Sequence, residues 1–231
     1  MRVGDRLIIA LDARSLREAE RVAKRLQDVV RYVKIGSALF TAEGPKAVAR
    51  MQALGFQVFL DLKFHDIPST VEKSCRAAVR LGVAMVTVHA SGGAAMLRAA
   101  AMGARDEARR LGQPGPLVLG VTVLTSDGGA ARATRAQVLR LAKDALAAGV
   151  GGVVASAHEA AAIRHRVGRR LRIVCPGIRP LGVEAADQRR VATPAEALRH
   201  GADFLVVGRP VTAAADSRAA AAQIIREMED V

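Results

Sequence analysis

The chain has 231 residues, of which 51% are hydrophobic and 25% charged, and its formal net charge is +13. A single domain is expected, because α/β barrels of this length commonly fold undivided. No apolar stretch approaches the roughly 18 residues of a transmembrane helix. The apolar run near the N-terminus meets Asp12 too early for a signal peptide. We therefore expect a cytoplasmic protein with no membrane partner.

The excess of basic residues is compatible with a polyanion or with a small anionic ligand. The cations are spread along helical segments with acids between them, as in "RDEARR". One tyrosine and no tryptophan leave no basic, aromatic patch on which bases would stack. Cys75 and Cys175 form no CxxC pair, and the histidines form no metal-binding motif. These features favour a small anionic ligand and predict no nucleic-acid partner and no metal site.

Short apolar runs alternate with helical patterns along the whole chain. They predict strands at residues 6–12, 32–36, 57–63, 85–90, 117–125, 152–157, 172–178 and 204–209. Helix starts are indicated by the capping boxes at Ser15 and Ser69, and by Thr193 followed by proline. Continuous apolar strands suit a parallel sheet covered by helices. Eight units of about 29 residues, close to one βαβ unit each, predict a (β/α)8 barrel as a single domain over residues 1–231.

Polar residues gather where the predicted strands end, while the strand bodies stay apolar. The set comprises Asp12, Lys34, Asp61 with Lys63, His89, Thr125, Arg179, and Gly208 with Arg209. Because a barrel of this type carries its active site at the carboxyl ends of its strands, these residues are the candidates for a common site.

The stretch "FLDLKFHDIPST", which begins at Phe59, carries the strongest signal. Side chains alternate along a strand, so Phe59, Asp61 and Lys63 point into the barrel. Asp66 follows in the loop, and Lys34 ends the neighbouring strand. An isolated surface ion pair would contribute only ~0–1 kcal/mol, so several converging charges favour a site. A lysine between carboxylates suits chemistry that builds negative charge on carbon and then protonates it.

Two later segments, "CPGIRPLG" and "VVGRPV", are typical of an anion site. They end the seventh and eighth strands, where barrel enzymes often bind phosphate. Gly208 would allow close approach of a backbone N–H group, and Arg209 would supply a bidentate donor. The sequence therefore predicts a phosphate group on the substrate.

These motifs resemble the orotidine 5′-phosphate decarboxylase family. The segment "DLKFHDIPST" is similar to its signature, and "VKIG", "HASGG", "GVTVLTS", "PGIRP", "DQRR" and "VGRPV" follow in the family's order. The resemblance implies decarboxylation of orotidine 5′-monophosphate to UMP and CO2 in de novo pyrimidine biosynthesis. It also implies a homodimer that requires no cofactor and no metal.

The resemblance further implies a role for each matching residue. Lys63 would protonate C6 of the pyrimidine, and Asp61 would face the substrate carboxylate, with Lys34 and Asp66 completing the charged network. Three residues would reach the site of the neighbouring subunit: Asp66, Ile67 and Thr70. The remaining substrate contacts would be Asp12 and Lys34 at the ribose, Thr125 and Ser126 at the pyrimidine, and Arg179, Gln188, Gly208 and Arg209 at the phosphate.

Two alternatives stay open at this point. One is a metal-dependent sugar-phosphate aldolase or epimerase on the same barrel, against which "FHDIPST" and "PGIRP" argue. The other is a polyanion-binding protein that uses the net positive charge. His65 and His89 are interpreted as structural residues near the site.

Overall fold

Eight parallel strands close into a barrel in sequence order in the computed structural model, which describes residues 2–123, 131–180 and 191–230, with the backbone alone for 131–134. The strands are β1 Leu7–Ala10, β2 Tyr32–Gly36, β3 Gln57–Phe64, β4 Met85–His89, β5 Leu117–Val121, β6 Gly152–Val154, β7 Arg172–Cys175 and β8 Phe204–Val207. The predicted (β/α)8 architecture is confirmed.

Helices connect successive strands and surround the barrel. They are α1 Leu16–Leu26, α2 Ser37–Glu43, α3 Pro45–Ala53, α4 Pro68–Arg80, α5 Gly93–Leu111, α6 Ala131–Ala147, α7 Ala157–Val167, α8 Pro194–Arg199, α9 Arg209–Thr212 and α10 Ser217–Glu229. Within the described ranges, no helix combines the length and apolarity needed to cross a membrane.

Several strands are shorter than predicted at their carboxyl ends. The apolar runs predicted to continue to residues 125 and 178 leave the sheet after Val121 and Cys175. Beyond those points, Val123 and Pro176 line the cavity described below. One apolar run thus supplies both strand residues and residues that line the cavity, and its composition does not indicate where the strand ends.

The helix starts were predicted with mixed success. Thr193 forms a reciprocal capping box with Glu196 at the start of α8, as expected. Ser15 caps α1 through the Glu18 N–H at 3.3 Å, but the Glu18 carboxylate accepts from the Arg14 N–H instead of returning to Ser15.

The capping box predicted at Ser69 is wrong. Helix α4 begins at Pro68 and its N-cap is Ile67, two residues before the predicted N-cap. Proline fits the first helical position because its φ is already helical and it has no N–H group to satisfy. Ser69 therefore lies inside the first turn.

The core has two layers separated by the sheet. Val58 and Leu60 of β3 face outward and pack with residues of the surrounding helices. Phe59 faces inward and joins a smaller cluster inside the barrel. Full burial of such side chains contributes about 1.5–3 kcal/mol each. The alternation predicted for the third strand is confirmed up to Asp61, which it directs toward the barrel interior; at Lys63 the pairing with β4 is irregular.

Helices α4 and α5 pack closely around a glycine and a buried ion cluster. A methyl group at Gly103 would lie 2.7 Å from Glu72 Cγ and 2.8 Å from the Glu72 carbonyl oxygen. One turn further along α5, the carboxylate of Glu107 is buried and accepts from Arg80 and Arg110, at 2.7 Å each. This contact supports the helix that follows the charged segment of β3.

Candidate active site

Four charged residues from three adjacent strand ends form a continuous network at the barrel mouth. Both carboxylate oxygens of Asp61 lie 2.9 Å from Lys63 Nζ. Asp61 Oδ2 is also 3.4 Å from Lys34 Nζ, which is 3.3 Å from Asp12 Oδ1. Asp61 is 8% exposed. The network places two ammonium groups on either side of a buried carboxylate.

The electrostatic balance keeps Asp61 ionised. Burial acts to raise the pKa of this carboxyl, but the charges of Lys34 and Lys63 and the hydrogen bonds from Lys63 and Thr87 outweigh that effect, so the pKa is lowered. A buried carboxylate without such partners would be strongly destabilising. The two lysines and Thr87 therefore stabilise the ionised form of Asp61.

The backbone of β3 is irregular at Lys63. The pairing of β3 with β4 is regular up to Leu60, which lies opposite Val86, and resumes at Phe64, which lies opposite Val88. Between these two pairs β3 therefore has more residues than β4. Lys63 lies within this bulge at φ 52°, in the left-handed region. That conformation costs a residue other than glycine about 1–2 kcal/mol. Bulges commonly re-aim side chains beside active sites, and this one brings the Lys63 ammonium to Asp61.

Thr87 is a site residue that the sequence reasoning missed. It is fully buried in β4, and its Oγ1 donates to Asp61 Oδ1 at 2.9 Å. The available signal was a hydroxyl in the middle of the otherwise apolar run "MVTVH", at a position of the same parity as the inward-facing Met85.

Two arginines lie on the opposite side of the mouth. Arg179 is buried, and its Nη1 donates to the Ile178 carbonyl at 3.1 Å. Arg209 is the first residue of α9 and directly follows Gly208. Burial and the positive charge of Arg209 lower the pKa of Arg179. Two guanidinium groups whose charges act on each other favour an anion between them.

The two groups of charges share one cavity of about 330 Å³. Its polar lining consists of Asp12, Lys34, Asp61, Lys63, Arg179, Gly208 and Arg209. Apolar side chains, among them Phe59, Val121 and Val154, form the rest of the wall. Small-molecule sites have this character, with apolar walls and a few directed polar groups. The structure therefore brings seven of the predicted site residues to one cavity.

Among the described residues, Asp66, Ile67 and Thr70 were also predicted for the site, and they do not line this cavity. Thr125, Ser126 and Gln188 lie outside the described residues. Asp66, Ile67 and Thr70 are exposed. Asp66 Oδ1 accepts from the Ile67 N–H at 2.6 Å, and Ile67 is 64% exposed. Their role in the site of a neighbouring subunit stays a prediction.

The two histidines of this region contact each other. The ring centroids of His65 and His89 are 5.1 Å apart. Burial lowers the pKa of His89, and the nearby charges of His65 and Lys63 lower it further, against an opposing effect of Asp61. These effects favour the neutral form of His89. In the part of the chain that the structure describes, no three His, Cys, Asp or Glu side chains are grouped to hold a metal ion.

Comparisons with known proteins agree with this geometry. Residues 5–224 match the family model described as "Orotidine 5'-phosphate decarboxylase / HUMPS family". The chain is 50% identical to the orotidine 5′-phosphate decarboxylase of Moorella thermoacetica over 239 aligned residues, which span 100% of this chain and 95% of that protein. It is also 50% identical to that of Halorhodospira halophila, over 96% of this chain and 95% of the relative.

A solved structure is similar over nearly the whole chain. The crystal structure of orotidine 5′-phosphate decarboxylase from Lactobacillus acidophilus superposes with a TM-score of 0.82 at 35% identity. The match covers 96% of this chain and 98% of that one. Sequence and fold thus agree, and the chain belongs to the orotidine 5′-phosphate decarboxylase / HUMPS family.

Proposed function

We propose that the protein decarboxylates orotidine 5′-monophosphate to UMP and CO2, a step of pyrimidine biosynthesis, with residues 1–231 acting as one catalytic domain. The observation that carries this proposal is the Lys34–Asp61–Lys63 network facing Arg179 and Arg209 across one cavity. The names of the relatives from Moorella thermoacetica and Halorhodospira halophila support a decarboxylase over the other enzymes of the family.

The arginines orient the substrate by its phosphate. Charge-assisted bonds from guanidinium groups to phosphate are short and directional. With the phosphate between Arg179 and Arg209, the nucleotide extends across the cavity toward the lysines. Asp12 and Lys34 then lie where ribose hydroxyls would bind. Gly208 precedes Arg209 and lines the same cavity.

Three further contacts rest on the family motifs alone. Thr125 and Ser126 are proposed at the pyrimidine edge, and Gln188 at the phosphate.

Lys63 carries the chemical step. When the bond between C6 and the carboxylate breaks, the electron pair stays on C6 and CO2 leaves. The Lys63 ammonium stabilises that developing charge and then gives C6 its proton; water restores the proton to Lys63. Because Asp61 holds the ammonium in place before the reaction, little reorganisation is needed in the transition state.

Asp61 has a second effect on the substrate. Its ionised carboxylate lies beside the position of the substrate carboxylate, and the two negative charges repel each other. Departure of CO2 relieves this repulsion, which destabilises the ground state relative to the transition state. The apolar walls strengthen both effects, because charges interact more strongly when water is excluded.

A homodimer would complete the site. The segment that carries Asp66, Ile67 and Thr70 is exposed in the single chain, and burial of a side chain such as Ile67 against a neighbour would contribute about 1.5–3 kcal/mol. A second recess of about 230 Å³ adjoins the charged network and is lined in part by Lys34 and Lys63. We place Asp66 of the neighbouring subunit at this recess.

The proposed location of the enzyme is the cytoplasm. Cys75 and Cys175 are buried and unpaired, and burial raises the pKa of each thiol to about 12. Both thiols are thus protonated and inert, as suits a reducing compartment.

The test is the loss of pyrimidine absorbance on adding orotidine 5′-monophosphate to the purified protein in the presence of EDTA. Conversion to UMP is expected, and Lys63→Ala is expected to abolish it while retaining UMP binding. Folded protein that shows no conversion would refute the proposal. Activity that appears only with a divalent ion, on a sugar phosphate, would instead support the metal-dependent alternative.

A further inference from the structure

The middle of β4 places one hydroxyl group beside the catalytic network. Val86 and Val88 face outward into the helical layer, and Met85 faces the barrel interior. Thr87 is 0% exposed and contacts Asp61. A fully buried hydroxyl must be hydrogen-bonded to be tolerated, so its partners indicate what it does.

Both hydrogen-bonding capacities of this hydroxyl are used on the network. Thr87 Oγ1 donates to Asp61 Oδ1 at 2.9 Å and accepts from the Lys63 backbone N–H at 2.9 Å. A hydroxyl has a single proton to donate, and Asp61 receives it. Thr87 thus joins the side chain of one catalytic residue to the backbone of the other.

The bulge in β3 explains why Lys63 needs this partner. Where the ladder with β4 is interrupted, no regular strand pairing is available to the Lys63 N–H. The residue is also in a left-handed conformation that is unfavourable for lysine. The Thr87 hydroxyl accepts the hydrogen bond from the Lys63 N–H that a strand carbonyl would otherwise accept. It thereby holds the bulge in the form that directs Lys63 toward Asp61.

We infer that Thr87 is a positioning residue for decarboxylation: its hydroxyl fixes the Asp61 carboxylate and the Lys63 backbone in the arrangement in which both Asp61 oxygens bind the Lys63 ammonium. Thr87 is not one of the described residues that line the substrate cavity. It therefore acts through Asp61 and Lys63 and does not contact the nucleotide. This inference rests on the proposed decarboxylase function.

The test compares Thr87→Val, which has nearly the same shape without the hydroxyl, with Thr87→Ser, which keeps it. We expect Thr87→Val to lower kcat by about 10- to 100-fold, with a Kd for UMP close to that of the wild type. Thr87→Ser should restore most of kcat. Such a split between kcat and ligand affinity would not follow from a purely structural role.

The matched control is Thr122→Val. Thr122 is also a buried threonine, at the end of β5, but its Oγ1 donates to the Val154 carbonyl at 2.9 Å rather than to the network. This variant should lose stability and keep its kcat. If Thr87→Val does not fold, Thr87→Ala replaces it under the same criteria, because it adds no atom to the site.

Three outcomes would overturn the inference. The first is wild-type kcat in the folded variant without the hydroxyl. The second is a loss confined to KM and to the Kd for UMP. The third is a failure of Thr87→Ser to recover activity. A wild-type protein that does not convert orotidine 5′-monophosphate would refute the proposed function itself and the inference with it, so the two failures are distinguishable.

Discussion

Complementation between two inactive variants tests whether each site is built from two chains. Lys63→Ala removes the proposed proton donor, and Asp66→Ala removes a carboxylate that is exposed in its own chain. We expect each variant alone to be nearly inactive. Lys63→Ala should still fold, because Asp61 keeps its contacts with Lys34, at 3.4 Å, and with Thr87, at 2.9 Å.

The size of the recovery follows from the symmetry of a dimer. Equal amounts of the two variants give about half mixed dimers after random exchange, and each mixed dimer contains one site with both substitutions and one with neither. About one quarter of all sites are then intact. The mixture should therefore show about one quarter of the wild-type rate at the same protein concentration.

The assay follows orotidine 5′-monophosphate absorbance after incubation of the mixed variants, with native mass spectrometry to measure the mixed dimer. The matched control mixes Lys63→Ala with Lys34→Ala. Both of these residues line the cavity of their own chain, so each mixed dimer has two damaged sites and should not recover. A rate that stays at the sum of the separate variants, with mixed dimers present, would refute the shared site.

Three other substitutions probe the phosphate end and the α4–α5 contact. Arg209→Ala should raise KM and weaken UMP binding by about 10- to 100-fold while leaving uridine binding unchanged; equal losses for both ligands would contradict the phosphate assignment. Glu107→Gln should lower Tm at neutral pH, because hydrogen bonds from Arg110 and Arg80, together with their charges, overcome burial and lower the pKa of Glu107 to about 2. The carboxylate stabilises the fold fully above its ordinary pKa of about 4.5 and loses that effect as the pH falls through about 2. In thermal melts, the difference in Tm between Glu107→Gln and the wild type should therefore become smaller as the pH falls over that range. A difference in Tm that does not depend on pH would contradict this account. Gly103→Ala should also lower Tm, since crowding against Glu72 costs about 1–3 kcal/mol and exceeds the roughly 1 kcal/mol that alanine gains in a helix; a raised Tm would show that the helices can separate without cost.

Much of the fold was predictable because its signals are local. Apolar runs at regular spacing predicted the barrel, and the alternation along β3 correctly directed Phe59 and Asp61 inward. The error at Ser69 arose where two local signals competed. Pro68 and Ser69 both suit a helix start, and the geometric fit of proline at the first position decided between them.

The site was predictable where it lies on regular strands. Lys34 and Asp61 follow from strand register, since β2 and β3 pair in parallel. The bulge at Lys63 was not predictable, because lysine gives no signal for a left-handed conformation. The role of Thr87 depends on that bulge and was missed for the same reason. Asp66 was assigned from the family resemblance and not from strand register; in its own chain it is exposed, and its carboxylate accepts from the adjacent Ile67 N–H.

The left-handed conformation of Lys63 has a consequence for selection on this enzyme. Glycine is the residue that the backbone would favour at φ 52°, yet glycine carries no ammonium group. The backbone conformation thus favours glycine at this position, whereas the proposed reaction requires lysine, and lysine is the residue present. Substitutions that make the protein more heat-resistant at this position are expected to be those that inactivate it, so a search for stability alone would remove the catalyst.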